Sequence, residues 1–219
     1  MTQTDSLPLL AVLATGGTIA SKNDSAGAAS PALSGEDLLA TLPPVAVRLR
    51  VRELLATDSS RLTLGDMQTI SDAVAAELED PAISGVVVLH GTDAMEETAL
   101  LVQLQRQPAK PVILTGAQFA SDHPHSDGPG NLADAVALAA RGQPGVMLAF
   151  GGRVFPIWGL YKFASDSADA FRRAADEVPP PITPLPAPVG GLRIDIVAVH
   201  PGGDALHLDA SLGAGARGI

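Results

Sequence analysis

The sequence predicts an α/β protein whose centre is an open, mainly parallel sheet with helices on both faces. Three observations predict it. First, four short runs are almost continuously apolar: Leu9-Leu10-Ala11-Val12-Leu13, Gly85-Val86-Val87-Val88-Leu89, Pro111-Val112-Ile113-Leu114 and Val146-Met147-Leu148-Ala149-Phe150. They lack the in-out alternation of a half-exposed strand, as expected for strands buried on both faces. Second, the segments between them carry helical spacing. Third, 22 glycines and 18 prolines among 219 residues supply the tight turns that such a chain needs.

Taken in order, the first run ends in Ala14-Thr15-Gly16-Gly17-Thr18, and a second strand leads to the loop Ala56 to Ser60. Asp66 to Asp80 then places Met67, Ile70, Val74 and Leu78 on one helical face. The Gly85 run ends in His90-Gly91-Thr92-Asp93, and the Pro111 run ends in Thr115-Gly116-Ala117-Gln118. Asn131 to Arg141 is a second amphipathic helix, with Leu132, Val136 and Ala139 inward and Gly142 at the position after its C-cap. Strands alternating with helices of this length make right-handed βαβ crossovers, a Rossmann-like or flavodoxin-like arrangement. In such sheets ligands sit beyond the carboxyl ends of the strands, so the four loops above are where function is expected.

Residues 1–177 are expected to form this domain. The stretch Val178 to Val189 holds six prolines, so 178–191 reads as a semi-rigid linker. Leu192 to Val199 alternates like a strand, and 192–219 is too short to bury a core of its own, so it reads as the opening of a second, smaller α/β domain.

Composition narrows the function classes. With 14 Lys+Arg against 24 Asp+Glu the formal net charge is −10, and no basic cluster is present, which argues against nucleic-acid or anionic-membrane partners. The absence of cysteine excludes thiolate nucleophiles, disulfides and Cys-ligated metals. The start, Met1-Thr2-Gln3-Thr4-Asp5-Ser6, has no positive region, and the apolar run after it is too short to span a bilayer, so a cytoplasmic protein is expected.

Three loop positions carry chemistry. Thr15, followed by two glycines at a strand end, offers a hydroxyl and free backbone N–H groups suited to acyl transfer; equally, the glycines only reverse the chain. Thr92 and Asp93 precede a helix, so one of them reads as its N-cap, with Glu96 or Glu97 favouring the helix dipole; a capping position at the crevice also points a hydroxyl and a carboxylate into the site, so the two readings are not exclusive. Lys162, within Gly159-Leu160-Tyr161-Lys162-Phe163, is either a snorkelling surface residue or, beside Asp93, a base for a threonine hydroxyl. Asp122-His123-Pro124-His125-Ser126-Asp127 has the residue types of a metal site but reads as a solvated loop; no metal or cofactor is expected.

Thr15-Gly16-Gly17-Thr18-Ile19-Ala20, His90-Gly91-Thr92-Asp93-Ala94-Met95-Glu96-Glu97-Thr98, Leu114-Thr115-Gly116-Ala117-Gln118, Asp127-Gly128-Pro129-Gly130-Asn131-Leu132 and the Lys162 segment together resemble the signatures of bacterial-type L-asparaginases. Gly215-Ala216-Arg217-Gly218-Ile219 resembles that family's first motif past its linker. The resemblance implies that Thr15 is the nucleophile and that Thr92, Lys162 and Asp93 form the activating triad. It implies that Gly16, Ser59, Ser60, Gly91, Thr92, Asp93 and Ala117 surround the substrate. Ser59 and Ser60 would hold the α-carboxylate and its neighbours, Asp93 the α-ammonium, and the Ala117 carbonyl would lie near the leaving amide. A tetramer of intimate dimers is implied, with sites completed by second-domain residues of a neighbour that lie past Ile219; without them activity would be weak.

One departure stands out. Many members carry a tyrosine in the mobile loop after the nucleophile, but Ser21 to Pro31 has none, and Tyr161 is the chain's only tyrosine. Gly27, Ala28 and Ala29 suggest a flexible lid there. Asparagine is the expected substrate, with glutamine as a second, since the two differ by one methylene. The alternatives are the glutaminase-like subunit of a tRNA-dependent amidotransferase and a non-catalytic amino-acid sensor.

Overall fold

The computed structural model describes residues 7–23, 29–174, 183–185 and 187–219. In chain order its strands are β1 (Leu9–Ala14), β2 (Ser21–Asn23), β3 (Ala29–Pro31), β4 (Arg48–Glu53), β5 (Ile83–Leu89), β6 (Pro111–Thr115), β7 (Gly145–Phe150), β8 (Arg153–Pro156), β9 (Leu160–Lys162) and β10 (Phe171–Arg173). The helices are α1 (Gly35–Leu39), α2 (Leu64–Glu79), α3 (Met95–Arg106), α4 (Gly128–Ala140) and α5 (Leu206–Gly213). Six strands form one sheet in the order β4-β1-β5-β6-β7-β8, parallel throughout except for the β7–β8 pair. Two antiparallel ribbons, β2–β3 and β9–β10, stand apart from it.

The side-chain period of two explains why the apolar runs do not alternate. Leu10 and Val12 of β1 join Val87, Leu89 and Ile113 on one face, beneath Leu132, Ala135, Val136 and Ala139 of α4. Ala11 and Leu13 join Val86, Val88, Val112 and Leu114 on the other, beneath Ile70 and Val74 of α2 and Ala99 and Val102 of α3. Both faces are dry, so both sets of positions are apolar. The edge strand β4 differs: Arg48, Arg50 and Arg52 point outward, and Arg50 pairs with Glu77 (2.5 Å) and Asp80 (2.9 Å). Charges of this kind blunt an exposed sheet edge.

Local capping sets where the helices begin. α2 starts at Leu64, two residues before the expected Asp66. Thr63 and Asp66 form a reciprocal capping box, with the Thr63 N–H donating to the Asp66 carboxylate at 2.9 Å. α4 starts at Gly128 rather than Asn131 because Pro129 fits the first turn, where its missing N–H costs nothing. The N-cap reading of Thr92 and Asp93 is corrected: Ala94 occupies that position in a left-handed conformation (φ 55°) with no side-chain cap. The expected strand at Leu192 to Val199 is also corrected. Among the described residues its pairing is limited to an isolated bridge between Ile194 and Gly218, and Ile196 is fully exposed. An alternating pattern cannot form a ladder without a neighbouring strand.

Within the expected linker, residues 178–182 and 186 lie outside the described residues, as does 24–28, the centre of the expected lid. The described part of the linker is tied to the domain: Gln105 donates to the Ala187 carbonyl (2.9 Å), and the Val189 N–H donates to Gln68 (3.0 Å). No helix among the described residues is long and apolar enough to cross a membrane.

Candidate active site

β1 and β5 are neighbours in the sheet and β4 borders β1, so the loops leaving their carboxyl ends share one rim. A cavity of about 520 Å³ opens there, lined by Gly17, Thr18, Ser21, Ala56, Thr57, Asp58, Ser59, Arg61, Thr92 and Asp93. Of these, Ser59, Thr92 and Asp93 are expected site residues. Thr18 lies within the expected loop after β1 without a role of its own there, and Arg61 carried no signal beyond its place beside the Ala56 to Ser60 loop.

The loops are brought together by backbone contact. Gly17 has φ +85° and lies so close to the next loop that a Cβ on it would stand 2.4 Å from the Cα of Gly91. At Gly91 itself, an added Cβ would stand 2.3 Å from the Ser59 hydroxyl. Only glycine permits either approach. Gly16 in turn rests against the Thr57 backbone, and the Thr57 N–H reaches the Thr15 carbonyl at 3.4 Å. Gly17→Ala is therefore expected to lower stability by about 2–4 kcal/mol through clash and strain. Urea titration of the variant checks this; an unchanged midpoint would mean that the loops are free to separate.

Lys162 enters from the β9–β10 ribbon. Its Nζ donates to Thr92 Oγ1 at 2.7 Å and to Asp93 Oδ1 at 2.6 Å, and its side chain is only 12% exposed. It is therefore not a snorkelling residue. A hydroxyl within hydrogen-bond reach of an amine that is oriented by a carboxylate is the geometry of an activated nucleophile or proton relay. Thr15 sits just past the end of β1, 2% exposed, and its hydroxyl donates to the Leu89 carbonyl at 2.8 Å. It directly precedes the glycine pair of which Gly17 borders the cavity, while neither Thr15 nor Gly16 lines it.

The remaining expected residues take varied positions. The Ser60 hydroxyl is exposed and donates to Asp58 at 2.9 Å. The Ser60 N–H, and after it this hydroxyl, hold the Asp58 carboxyl below the usual carboxylate range. Ala117 is fully buried, and its loop is fixed by the Asp127 carboxylate, which accepts the N–H groups of Gln118 and Phe119 at 3.0 Å. Asn131 extends that lock by donating to Asp127 and to the Gly116 carbonyl, both at 2.9 Å. In the His-Pro-His loop, His123 stacks on Phe119 and its Nδ1 accepts the His125 N–H at 3.1 Å. Among the described residues no group of three potential metal ligands converges.

His90 was only a motif letter in the sequence. It is completely buried, with Nδ1 2.6 Å from the Gly91 carbonyl and Nε2 3.0 Å from the Thr98 hydroxyl. A carbonyl can only accept, so Nδ1 carries the proton and neutral Nε2 accepts from Thr98. Burial holds the ring below its ordinary pKa of 6.5. The unfolded chain then binds the extra proton first, so stability fully present above about pH 6.5 is lost progressively as pH falls below that value toward the lower folded pKa. Unfolding titrations from pH 8 to 5 are expected to show this slope in the unsubstituted chain and a flatter one in His90→Gln. Parallel slopes would refute the assignment.

Comparison with known proteins gives this geometry its context. The family model described as asparaginase, N-terminal, matches residues 9–180. A probable L-asparaginase of Deinococcus radiodurans is 33% identical over 204 residues, covering 90% of this chain and 56% of that protein. A glutamyl-tRNA(Gln) amidotransferase subunit of Methanopyrus kandleri is 37% identical over 144 residues, covering 64% of this chain and 31% of that protein. The crystal structure of a probable cytoplasmic L-asparaginase from Campylobacter jejuni superposes with a TM-score of 0.83 at 26% identity, over 97% of this chain and 73% of that one. The chain spans about half the length of several curated relatives it matches. With its N-terminal model covering most of the described sheet domain and the glycine-bound loops of the rim in place, the chain belongs to the asparaginase family.

Proposed function

We propose that this chain carries the reaction centre of an L-asparaginase, an amidohydrolase that releases ammonia from the side-chain amide of asparagine and leaves aspartate. The observation that carries the reading is the Lys162 amine bound to both Thr92 (2.7 Å) and Asp93 (2.6 Å) at the edge of a hydroxyl-lined cavity.

In this reading Thr15 attacks the amide carbon. Its hydroxyl must first leave the Leu89 carbonyl, a hydrogen bond worth about 1 kcal/mol net, by turning about χ1. Its proton passes to Thr92 and on to Lys162. A fully charged ammonium cannot accept it, so the lysine first gives one proton to solvent; the substrate's own α-ammonium, by pairing with Asp93, weakens the hold of that carboxylate on the lysine proton and eases this loss. The proton then goes to the departing amine, ammonia leaves, and water hydrolyses the β-aspartyl ester on Thr15. Backbone N–H groups of the Gly16 and Gly91 loops face the oxyanion. Ser59, with Ser60 beside it, takes the α-carboxylate, and the Ala117 carbonyl lies toward the leaving group. Residues 1–177 form the catalytic domain, 178–191 the linker and 192–219 the entry to a second domain, within a cytoplasmic oligomer.

Coupled assay of ammonia from asparagine tests the proposal. Release with asparagine supports it; binding of asparagine or aspartate by calorimetry without release would make the chain a sensor. Release from glutamine alone would favour the amidotransferase-like reading, to which the 37% identity with the Methanopyrus kandleri protein lends weight.

A further inference from the structure

Lys162 reaches the site from a ribbon that, among the described residues, shares no strand pairing with the central sheet: Leu160 and Phe171 anchor it in the core beside Phe150, and the backbone contact at Lys162 itself comes from elsewhere. β9 pairs with β10, and Lys162 stands opposite Phe171. The ladder bonds on either side run from Phe163 N–H to the Ala170 carbonyl (2.7 Å) and from Ala174 N–H to the Gly159 carbonyl (2.7 Å). Lys162 is thus at a non-hydrogen-bonded site of the ladder, and its own N–H points away from β10. The group that receives it is the carboxylate of Glu96, at 2.8 Å.

Glu96 lies in the first turn of α3, directly after the loop bearing Thr92 and Asp93. One carboxylate oxygen therefore joins the two pieces of chain whose side chains must meet. Its other oxygen, Oε2, is buried and has no hydrogen-bond partner among the described residues. The neighbouring Glu97 carboxyl is raised, first by burial and then by Glu96 and Asp93.

We propose that Glu96 is the positioning residue of the reaction centre: by accepting the Lys162 N–H it sets the register of the β9–β10 ribbon and so the reach of Nζ to Thr92 and Asp93. The inference rests on the amidohydrolase reading only for what the positioned lysine does. Misplacement of a reacting group by about 1 Å costs on the order of 10²-fold in rate. Glu96→Ala is expected to lower kcat for asparagine by about 10–100-fold with KM within about threefold, because the cavity residues that face the α-carboxylate are untouched. Glu96→Gln keeps a carbonyl acceptor and is expected to stay within about fivefold of the parent rate, whereas Glu96→Asp, one methylene short, should resemble alanine.

A second readout is independent of turnover. The chain has only three lysines, Lys22, Lys110 and Lys162. With an amine-acylating reagent and peptide mass spectrometry on the folded chain, Glu96→Ala should label Lys162 several-fold faster than the parent, with Lys22 and Lys110 unchanged as internal controls. An unaltered kcat and unaltered labelling in Glu96→Ala would overturn the proposal, as would a Glu96→Gln variant as impaired as alanine. If the parent releases no ammonia from asparagine, the amidohydrolase reading fails; faster Lys162 labelling in Glu96→Ala would still establish the positioning role, and unchanged labelling would refute it.

Discussion

Replacing Lys162 with methionine is expected to lower kcat for asparagine by at least about 10³-fold, within the range lost when a positioned acid or base is removed. Methionine keeps the length and apolar stem of the side chain, so β9 and its pairing with β10 remain. What disappears is the amine that bridges Thr92 and Asp93. Asp93, half exposed at its side chain, stays solvated and is released to pair with the substrate's α-ammonium. Binding of aspartate by calorimetry should therefore change by less than about fivefold while ammonia release collapses. That split distinguishes a chemical role from a structural one, since loss of the ribbon would weaken binding and stability together. Turnover within about tenfold of the parent would remove Lys162 from the mechanism.

Thr15→Val is expected to have the larger effect, at least about 10⁴-fold in kcat, because it deletes the atom to which the acyl group would bond. Valine is nearly isosteric and also β-branched, so β1 and the glycine turn after it should hold. The comparison with Thr92→Val decides between two hydroxyls. Thr92 borders the cavity and lies 2.7 Å from the lysine amine, whereas the Thr15 hydroxyl is engaged with the Leu89 carbonyl in this conformation. If Thr15 attacks, trapping with a slow acyl substrate should show the covalent ester on the peptide containing Thr15 in the parent and in no Thr15→Val sample. An ester on the Thr92 peptide would reverse the two roles.

Much of the sheet was legible because its strands are buried on both sides. Runs such as Gly85 to Leu89 and Pro111 to Leu114 contain no polar residue that could face water, and the structure puts their alternate residues into two separate cores. β4 was not legible in the same way. It is an edge strand in which three arginines alternate with Leu49 and Val51, a pattern set by solvent on one side and ion pairs with α2. The short ribbons β2–β3 and β9–β10 have too few residues to show a period. α2 and α4 start two and three residues before the hydrophobic spacing begins, at Leu64 and Gly128, because first-turn chemistry sets a helix start: the Thr63–Asp66 capping box satisfies unpaired N–H groups in α2, and Pro129 removes one in α4.

The chain's local chemistry thus settled which residue types stand at the strand ends: threonines and glycines after β1, Thr92 and Asp93 after β5, and an isolated lysine far downstream. That followed from composition and spacing, which need no knowledge of distant contacts. Which of them touch was a question of three-dimensional packing. The approach of Gly17 to Gly91, the hydrogen bond from Lys162 to Glu96 across 66 positions and the burial of His90 between Gly91 and Thr98 arise from long-range placement, and no window of sequence contains both partners of the first two. The fate of 192–199 shows the same division: alternation makes a strand possible, and a neighbour to accept its hydrogen bonds makes it real.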